Sequence, residues 1–302
     1  MGSYIEPSFV YLLGAGVGHS IAPPVHNYIA ATVGCPWKFE ARECPSIKDA
    51  AALLRQPGFA GAIVTMPYKK AIINYLEGVD KVVVQLGACN VVYIARDGTL
   101  RGTNTDWLGV AGCLLDTVPT PPGEDPPALL VGAGGAAKAA LHALSTVLKC
   151  KTVYIVNRDD QEVRELTKEL EMKYSDLKLV HVRSAEHAKA LKSPYYVVGT
   201  IPNTEPASEK EIEVYKSLEL FLYQAIRKGV VLDMCYKPRR TRMLKLAERY
   251  GWTTIDGTSI IGHQLEEQYR LWCGPEAVQR LPLDGAWKVL HQAAESSAYI
   301  NG

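Results

Sequence analysis

The sequence predicts an α/β protein of two domains, in which parallel strands are covered on both faces by helices. Short apolar runs alternate with amphipathic stretches along the chain, as is typical of strand–helix–strand units. The proline-rich residues 117–127 interrupt this alternation. A chain of 302 residues also exceeds the roughly 100 to 200 residues usual for one domain. Two hydrophobic cores are therefore expected.

The first domain is predicted over residues 1–116. Apolar runs at 9–14 and 61–66 predict strands, and each is followed by an amphipathic stretch that predicts a helix. Five prolines among residues 117–127 cannot be accommodated in a helix or a central strand. This segment therefore marks the domain boundary.

The second domain is predicted over residues 117–256 as a doubly wound parallel sheet. Its predicted strands are short, rich in β-branched or aromatic residues and bounded by polar stretches, as expected for strands buried on both faces. They lie within residues 128–135, 152–158, 177–183, 195–201, 229–235 and 253–256. Residues 262–274 and 286–300 then predict helices. We expect residues 257–302 to pack back on the first domain.

Composition excludes several classes of partner. The formal net charge of +1 leaves no basic surface for nucleic acid or an anionic membrane, and a small molecule is the expected partner. The seven cysteines form no CxxC pair, which argues against a disulfide framework or a thiolate zinc site and indicates a reducing compartment. No run of about 18 apolar residues predicts a membrane span. A cytoplasmic protein, monomeric or homodimeric, is expected.

A glycine-rich turn, GAGGAA at residues 132–137, predicts a dinucleotide site. Gly132 lets the chain turn sharply after a strand, while Gly134, Gly135 and Ala136 allow a pyrophosphate to approach the backbone at a helix N-terminus. Tight strand–helix turns also use glycine for steric reasons alone. The flanking strand and helix favour binding of NAD or NADP.

The next predicted strand ends at Asn157, Arg158, Asp159 and Asp160, where the adenosine ribose of a dinucleotide would lie. Arg158 could pair with a 2′-phosphate and favour NADP. Asp159 or Asp160 could instead accept hydrogen bonds from free ribose hydroxyls and favour NAD. Alternatively, one of these aspartates only caps the helix that follows.

Lys69 and Asp106 lie upstream of the glycine turn, so the residues before that turn are expected to hold the substrate. Oxidation of a secondary alcohol by a nicotinamide requires a group that takes the hydroxyl proton, and a lysine beside a carboxylate can do so. Lys70 is adjacent, but neighbouring positions at a helix start point about 100° apart, so only one of the two can face Asp106. The alternative interpretation is that Lys69 and Asp106 are ordinary charged residues on the solvent-exposed surface.

Several motifs in order along the chain resemble the shikimate/quinate dehydrogenase family over nearly its whole length. Gly18 to Pro23 with His26 and Asn27 is similar to the family's HSxSPxxHN. The other similar motifs are Val64 to Lys69 (VTxPxK), Gly87 to Asn90 (GAxN), Gly102 to Asp106 with Gly109 (GxNTDxxG), Asp233 to Tyr236 with Pro238 and Thr241 (DxxYxPxxT), and a C-terminal motif at residues 256–274.

The resemblance implies an N-terminal substrate domain, a Rossmann-type domain and C-terminal helices that return to the first. It implies an NAD(P)-dependent oxidoreductase that interconverts a hydroxyl and a ketone on shikimate or quinate, with Lys69 and Asp106 as the catalytic pair. The residues implied around the substrate are Ser20, Thr65, Asn90, Tyr236 and Gln264. Met234 and Gly257 are implied near the nicotinamide. No metal is implied, and we interpret His19 and His26 as structural or cap-forming residues.

The sequence departs from the family pattern in three places. Ala22 replaces the second serine of HSxSP and favours a bulkier or differently substituted ring, such as quinate with its extra hydroxyl. Ile63 replaces an asparagine found in many members. Asp159 and Asp160 stand where NADP-specific members place threonine and a basic residue, which favours NAD.

Two other functions stay open at this point. The departures at Ala22 and Ile63 permit a dehydrogenase for an amino-substituted ring. A catalytically silent domain that senses the metabolite would use the same fold, although such a sensor would not need the proton-transfer pair. The sequence also leaves open whether the chain is part of a larger multifunctional polypeptide.

Overall fold

The computed structural model describes residues 8–117, 125–171, 173–174 and 176–301, apart from the side chain of residue 171. Residues 118–124 of the predicted linker lie outside the described residues. The described chain divides into two compact units. The first contains the residues up to Thr105 together with Gln264–Ser297, and the second contains Asp106–His263 together with the residues from Ala298 onward.

The strands and helices alternate through most of the chain, as predicted. The strands are β1 (Ser8–Gly14), β2 (Trp37–Glu43), β3 (Phe59–Val64), β4 (Gly78–Val79), β5 (Val91–Ile94), β6 (Leu100–Thr103), β7 (Ala128–Val131), β8 (Thr152–Val156), β9 (Lys178–His181), β10 (Tyr196–Gly199), β11 (Val230–Asp233) and β12 (Thr253–Asp256).

The α-helices are α1 (Ala22–Val33), α2 (Ile47–Leu53), α3 (Lys81–Leu86), α4 (Asp106–Thr117), α5 (Gly135–His142), α6 (Asp160–Glu171), α7 (Ala185–Lys189), α8 (Glu209–Gln224), α9 (Arg242–Arg249), α10 (Ser259–Gly262), α11 (Leu265–Cys273), α12 (Pro275–Val278), α13 (Leu283–Ser296) and α14 (Ala298–Asn301). Val17–His19 and Ala71–Tyr75 form short 3₁₀ helices, and Ala143–Val147 extends α5 as a π-helical segment.

The first unit contains a mixed sheet whose described strands follow the order β2-β1-β3-β5-β6-β4. β1 lies parallel to β2 and β3, whereas β5 is antiparallel to both β3 and β6. Its core is formed by buried side chains such as Leu13, Val64 and Ile72.

The second unit contains a fully parallel sheet over the described strands, in the order β12-β11-β10-β7-β8-β9. Counted from β7, this is the order 3-2-1-4-5-6 of a Rossmann-type sheet, in which ligands bind at the carboxyl ends of the strands. Alternate residues of β7 enter two separate cores, Leu130 on one face and Leu129 on the other. Both faces are therefore covered, and the predicted α/β class is confirmed.

The division between the units differs from the expected boundaries after residues 116 and 256. Helix α4 groups with the second unit because it packs on α5 and α10. Residues 257–263 also belong there, and the His263 imidazole lies 3.7 Å from the Asp116 carboxylate. Near the C-terminus, Ile300 accepts a hydrogen bond from the backbone of Arg239, so α14 groups with the second unit rather than the first.

Two local features of the first unit differ from the sequence prediction. The amphipathic stretch after residue 66 forms only the 3₁₀ helix Ala71–Tyr75 before β4 begins at Gly78. Lys69 and Lys70 therefore lie in a turn and not at the start of an α-helix. The hairpin of β5 and β6 was not predicted, although its turn contains Asp97 and Gly98, and Gly98 has a φ of 81°.

Candidate active site

A cluster of buried, uncharged polar side chains lies in the first unit. The Asn90 amide donates to Gln264 Oε1 at 2.9 Å and to Thr105 Oγ1 at 3.2 Å. Thr105 Oγ1 in turn donates to Gln264 Oε1, and Asn90 Oδ1 accepts from the Thr105 backbone N–H at 2.7 Å. None of the three residues is more than 7% exposed. The structure thus brings together Asn90 and Gln264, two of the predicted site residues.

Backbone hydrogen bonds fix Asn90 in this cluster. Its carbonyl accepts from the Val64 N–H at 2.8 Å, and its N–H donates to the Thr103 carbonyl at 3.0 Å. These bonds join the start of β5 to the ends of β3 and β6. Gln264 is the residue that directly precedes α11, and its side chain completes the cluster. The amide positions therefore depend on contacts between segments that are distant in sequence.

Thr65 and Lys69 lie on the segment that leaves β3. The Thr65 N–H donates to the Leu13 carbonyl at 2.9 Å, and a Cβ on Gly14 would lie 2.4 Å from the Thr65 methyl carbon, so glycine is required there. The Lys69 carbonyl accepts from the Cys89 N–H at 2.7 Å, which places Lys69 beside the residue that precedes Asn90. Lys69 is half-buried, whereas Lys70 is exposed.

Ser20 and Asp106 each lie at the start of a helix. Ser20 Oγ accepts from the Ala22 N–H at 3.2 Å, so this hydroxyl helps to start α1. Asp106 is the first residue of α4 and is 9% exposed. The neighbouring Asn104 amide donates to the Ala88 carbonyl at 3.0 Å and fixes the chain that leads to Asp106.

The glycine turn follows β7 and leads into α5. Gly132 has a φ of 110°, and a Cβ there would lie 2.4 Å from Thr200 Oγ1, so only glycine fits. Gly134 and Gly135 are different, because a Cβ on either would meet no protein atom within 4 Å. These two glycines and Ala136 are exposed at the N-terminal end of α5. The turn therefore leaves space and backbone N–H groups for an anionic ligand.

The segment after β8 is held by hydrogen bonds. The Asn157 amide donates to the Asp159 carbonyl and to the Glu162 carboxylate, both at 2.9 Å. Asp159 Oδ1 accepts from the Gln161 N–H at 2.7 Å. Asp159 therefore caps α6, which is the alternative that the sequence left open for one of the two aspartates.

Arg158 and Asp160 line a cavity of about 310 Å³ next to this segment. The Arg158 guanidinium is paired with Glu211, whose carboxylate also accepts from the N–H groups of Ala207 and Ser208. Hydrogen bonds from Ser208, Ala207 and Arg158 lower the pKa of Glu211 to about 2. The Asp160 carboxylate lies 3.5 Å from His181 Nε2.

The carboxyl ends of β11 and β12 carry a buried carboxyl group and a close backbone contact. Asp233 accepts from Thr241 Oγ1 at 2.6 Å and from the Cys235 N–H at 3.0 Å, yet burial raises its pKa to about 6. A Cβ on Gly257 would lie 2.5 Å from the Met234 carbonyl oxygen, so glycine permits this approach of two backbones. Tyr236 is half-buried on the same loop as Met234.

Among the described residues, no group of three His, Cys, Asp or Glu side chains is placed to hold a metal ion. His26 is fully buried and stacks on Phe39, with ring centroids 4.2 Å apart. Burial lowers the His26 pKa to about 3. No helix in the described parts of the chain combines the length and apolar character of a membrane span.

Two residues that take part in these hydrogen bonds, Thr105 and Glu211, were not predicted from the sequence. Thr105 lies within the Gly102–Asp106 motif but was not assigned to the site, although a hydroxyl between the asparagine and aspartate of that motif was a usable signal. The pairing of Glu211 with Arg158 could not be predicted from local sequence, because the two residues are 53 positions apart. The capping box at the start of α8 was predictable, because a serine, Ser208, is followed three residues later by a glutamate, Glu211.

Two family profiles match the chain. The profile described as Shikimate dehydrogenase substrate binding domain matches residues 12–92. The profile described as Shikimate / quinate 5-dehydrogenase matches residues 122–195. Each match falls mainly within one of the two units.

Known relatives cover most of the chain. A quinate dehydrogenase from Emericella nidulans is 34% identical, covering 89% of this chain and 88% of that protein. The pentafunctional AROM polypeptide of Eremothecium gossypii is 31% identical over 90% of this chain, which spans only 17% of that polypeptide. The shikimate 5-dehydrogenase of Thermus thermophilus, solved with NADP(H) and shikimate, is 26% identical with a TM-score of 0.74, covering 95% of this chain and 99% of that one.

Proposed function

Because the chain belongs to the shikimate/quinate dehydrogenase family, we propose that it is a nicotinamide-dependent dehydrogenase that interconverts a ring hydroxyl and a ketone on quinate or shikimate. The observation that carries this proposal is the 34% identity with a quinate dehydrogenase over 89% of the chain. We favour quinate as the main substrate. The alanine at position 22 removes a hydroxyl expected beside the carboxylate-bearing carbon, where quinate has an additional hydroxyl.

The substrate's carboxylate and ring hydroxyls are bound by Ser20, Thr65, Asn90, Tyr236 and Gln264. The buried amides of Asn90 and Gln264 support this role, because their network with Thr105 holds both amides in one orientation. Neutral donors and acceptors suit a polyol acid. A site of this kind rejects an analogue that lacks a hydroxyl, because a buried polar group would then be left without its partner.

Lys69 and Asp106 carry out the proton transfer. Lys69 Nζ takes the hydroxyl proton as the alcohol is oxidised and returns it to the ketone oxygen in the reverse direction. Asp106 positions Lys69 and a ring hydroxyl. The half-buried position of Lys69, beside the backbone that carries Asn90, supports this assignment over the exposed Lys70.

The glycine turn of the second unit fits a dinucleotide. Gly132 makes the turn, while the space at Gly134 and Gly135 and the adjoining Ala136 leave room for a pyrophosphate at the start of α5. Asn157, Arg158 and Asp160 hold the adenosine end, and Met234 and Gly257 hold the nicotinamide end. The nicotinamide, when bound, supplies or accepts the hydride.

The preferred cofactor is NAD. A 2′-phosphate requires a positive charge, but the Arg158 guanidinium is already paired with Glu211. The lining of the adjacent cavity also has no excess of positive charge, because its arginine and lysine residues are matched by an equal number of aspartates and glutamates. The basic residues are Arg158, Arg183 and Lys210, and the acidic residues are Asp160, Glu209 and Glu213.

The cofactor preference is tested with Asp160→Ala. Removal of the carboxylate should raise the ratio of kcat/KM with NADP to kcat/KM with NAD, by on the order of tenfold, because a repulsion of the 2′-phosphate is lost. Asp159→Asn is the matched control, since it removes the neighbouring charge and keeps an oxygen that can cap α6. Equal ratios in the parent and Asp160→Ala would place this carboxylate away from the ribose.

The reaction is tested by following reduced-nicotinamide absorbance with quinate and with shikimate, each paired with NAD and with NADP. We expect the fastest turnover with quinate and NAD. Turnover only with an amino-substituted ring would indicate a specialised dehydrogenase. If calorimetry detects binding of quinate or shikimate but no combination reacts, the chain would instead be a metabolite sensor.

A further inference from the structure

Two cysteines of the first unit lie in direct contact although they are far apart in sequence. The Sγ atoms of Cys35 and Cys273 are 3.4 Å apart across a separation of 238 residues. Cys35 follows the glycine that ends α1, and Cys273 is the last residue of α11. Both residues are half-buried. A small thiol reagent can therefore reach this pair more readily than a fully buried thiol.

The backbones on both sides of the contact are fixed. Next to Cys273, Trp272 Nε1 donates to the Val92 carbonyl at 3.1 Å, and its indole occupies the space where a Cβ on Gly61 would lie. Tyr269, one turn earlier in α11, donates from its hydroxyl to the His26 carbonyl at 2.9 Å. The Cys35 N–H donates to the Ala30 carbonyl at 2.9 Å. The two sulfurs are thus held together by the fold.

Most of the other cysteines have a different environment. Cys44, Cys89 and Cys150 are buried, and each thiol donates to a backbone carbonyl two residues away. Cys235 is half-buried but donates to the Ile201 carbonyl at 3.2 Å. Across the described residues, Cys35 and Cys273 form the one hydrogen-bonding contact between two cysteine sulfurs.

We propose that Cys35 and Cys273 are a reversible thiol–disulfide site, oxidised by a low-molecular-weight disulfide such as oxidised glutathione. Cys35, as the thiolate, attacks one glutathione sulfur, and one glutathione leaves as its thiolate. The Cys273 thiolate then attacks the Cys35 sulfur of the mixed disulfide and displaces the second glutathione. Two protein thiols become one disulfide, and one oxidised glutathione becomes two reduced glutathiones.

The environment of the Cys273 thiol makes it the second nucleophile in this scheme. Burial raises the pKa of the Cys273 thiol, so its thiolate is scarce near neutral pH. The second step is nevertheless fast, because the fold already holds the two sulfurs together and the attack is intramolecular. The mixed disulfide therefore does not accumulate.

The cross-link joins the end of α1 to the end of α11, the helix that begins next to Gln264. A bond between these ends restricts the unfolded chain over a loop of more than 200 residues. Oxidation should therefore raise the thermal unfolding temperature of the protein.

The test uses the full chain equilibrated with mixtures of reduced and oxidised glutathione. After unfolding in acid, thiol titration should show a loss of two of the seven thiols as the mixture becomes oxidising. Mass spectrometry of a digest should recover one linked peptide pair that contains Cys35 and Cys273. Dithiothreitol should restore all thiols, and the oxidised form should unfold at the higher temperature.

Three serine variants separate this site from general thiol oxidation. Cys35→Ser and Cys273→Ser should each abolish the linked pair and the rise in unfolding temperature. Cys235→Ser, at a half-buried thiol elsewhere, should keep both. Retention of all seven thiols in the parent over the whole glutathione range would overturn the proposal. Stable glutathione adducts on Cys35 or Cys273 without the linked pair would also overturn it.

Discussion

The two units offer polar groups to a ligand in different ways. In the first unit, the candidate site consists of side chains, Asn90, Thr105 and Gln264, that are buried and already hydrogen-bonded to one another. In the second unit, the glycine turn offers backbone N–H groups, and Gly134 and Gly135 are exposed with space around them. The first site is fixed by packing of distant segments, and the second is fixed by a local turn.

This difference indicates a division of labour. A preorganised set of side chains can distinguish one hydroxylated ring from another, because each hydroxyl must match a fixed partner. A backbone turn recognises a pyrophosphate, which all nicotinamide dinucleotides share. Substrate specificity should therefore reside mainly in the first unit, to which all the proposed substrate-binding residues except Tyr236 belong, and general dinucleotide affinity in the turn of the second.

The largest expected effect concerns Lys69, the proposed proton-transfer group of the first unit. Lys69→Ala should lower kcat by a factor on the order of 10² or more, with comparatively little change in substrate affinity. Lys70→Ala is the matched control, because Lys70 is the exposed neighbour on the same turn, and it should keep kcat near that of the parent. Steady-state kinetics measure both. A kcat for Lys69→Ala equal to that of the parent would remove Lys69 from the reaction.

The next effect tests whether the hydrogen-bonded cluster of Asn90, Thr105 and Gln264 stabilises the folded protein. Gln264→Ala removes the buried oxygen that accepts from both the Asn90 amide and the Thr105 hydroxyl, which should lower the free energy of unfolding by roughly 2 kcal/mol. Gln292→Ala, at an exposed position of α13, should change it by less than about 0.5 kcal/mol. Urea unfolding of the full chain gives both values. Equal stabilities for the two variants would show that the cluster contributes nothing to folding.

A smaller effect concerns the second unit, which buries a titratable group, Asp233, at the end of β11. The buried polar cluster of the first unit is uncharged, so pH should affect the two differently. The pKa of Asp233 is raised to about 6, so between pH 4 and 6 the folded protein keeps a proton that the unfolded chain has lost. Unfolding then releases a proton, and stability falls as pH rises through this window. Asp233→Asn has no such titration, so its free energy of unfolding relative to the parent should increase by about 2 kcal/mol from pH 4 to pH 6.

Urea unfolding of parent and variant at several pH values gives this difference directly, and contributions from other groups cancel. A difference that stays constant from pH 4 to 7 would mean that Asp233 has an ordinary pKa. The Asn90 cluster does not titrate in this range, so Gln264→Ala should show no comparable pH dependence relative to the parent.

Sequence was most informative where structure is local. The strands of the second unit are continuous apolar runs, and the glycine turn lies directly between one of them and a helix, so the doubly wound sheet was predictable from residues 128–256. In the first unit, helical spacing after residue 66 suggested an α-helix. The chain instead forms the 3₁₀ helix Ala71–Tyr75, which ends shortly before β4 begins at Gly78.

The candidate site was less predictable from the residues alone. Asn90 and Gln264 are 174 positions apart, and their contact depends on how α11 packs in the first unit. The same reason explains why Glu211 was not recognised as the partner of Arg158. Asp159 and Asp160 were equivalent in sequence, and only the hydrogen bond to Gln161 separates the helix cap from the residue that lines the cavity.

The division of labour is tested most directly by calorimetric titration of NAD into the parent, Gly134→Ala and Gln264→Ala without substrate. A methyl group at position 134 meets no protein atom within 4 Å, so the variant should fold normally. It should nevertheless bind NAD about tenfold more weakly, because the methyl blocks the approach of the pyrophosphate. Gln264→Ala should bind NAD as the parent does. Unchanged affinity in Gly134→Ala, or an equal loss in both variants, would contradict the account.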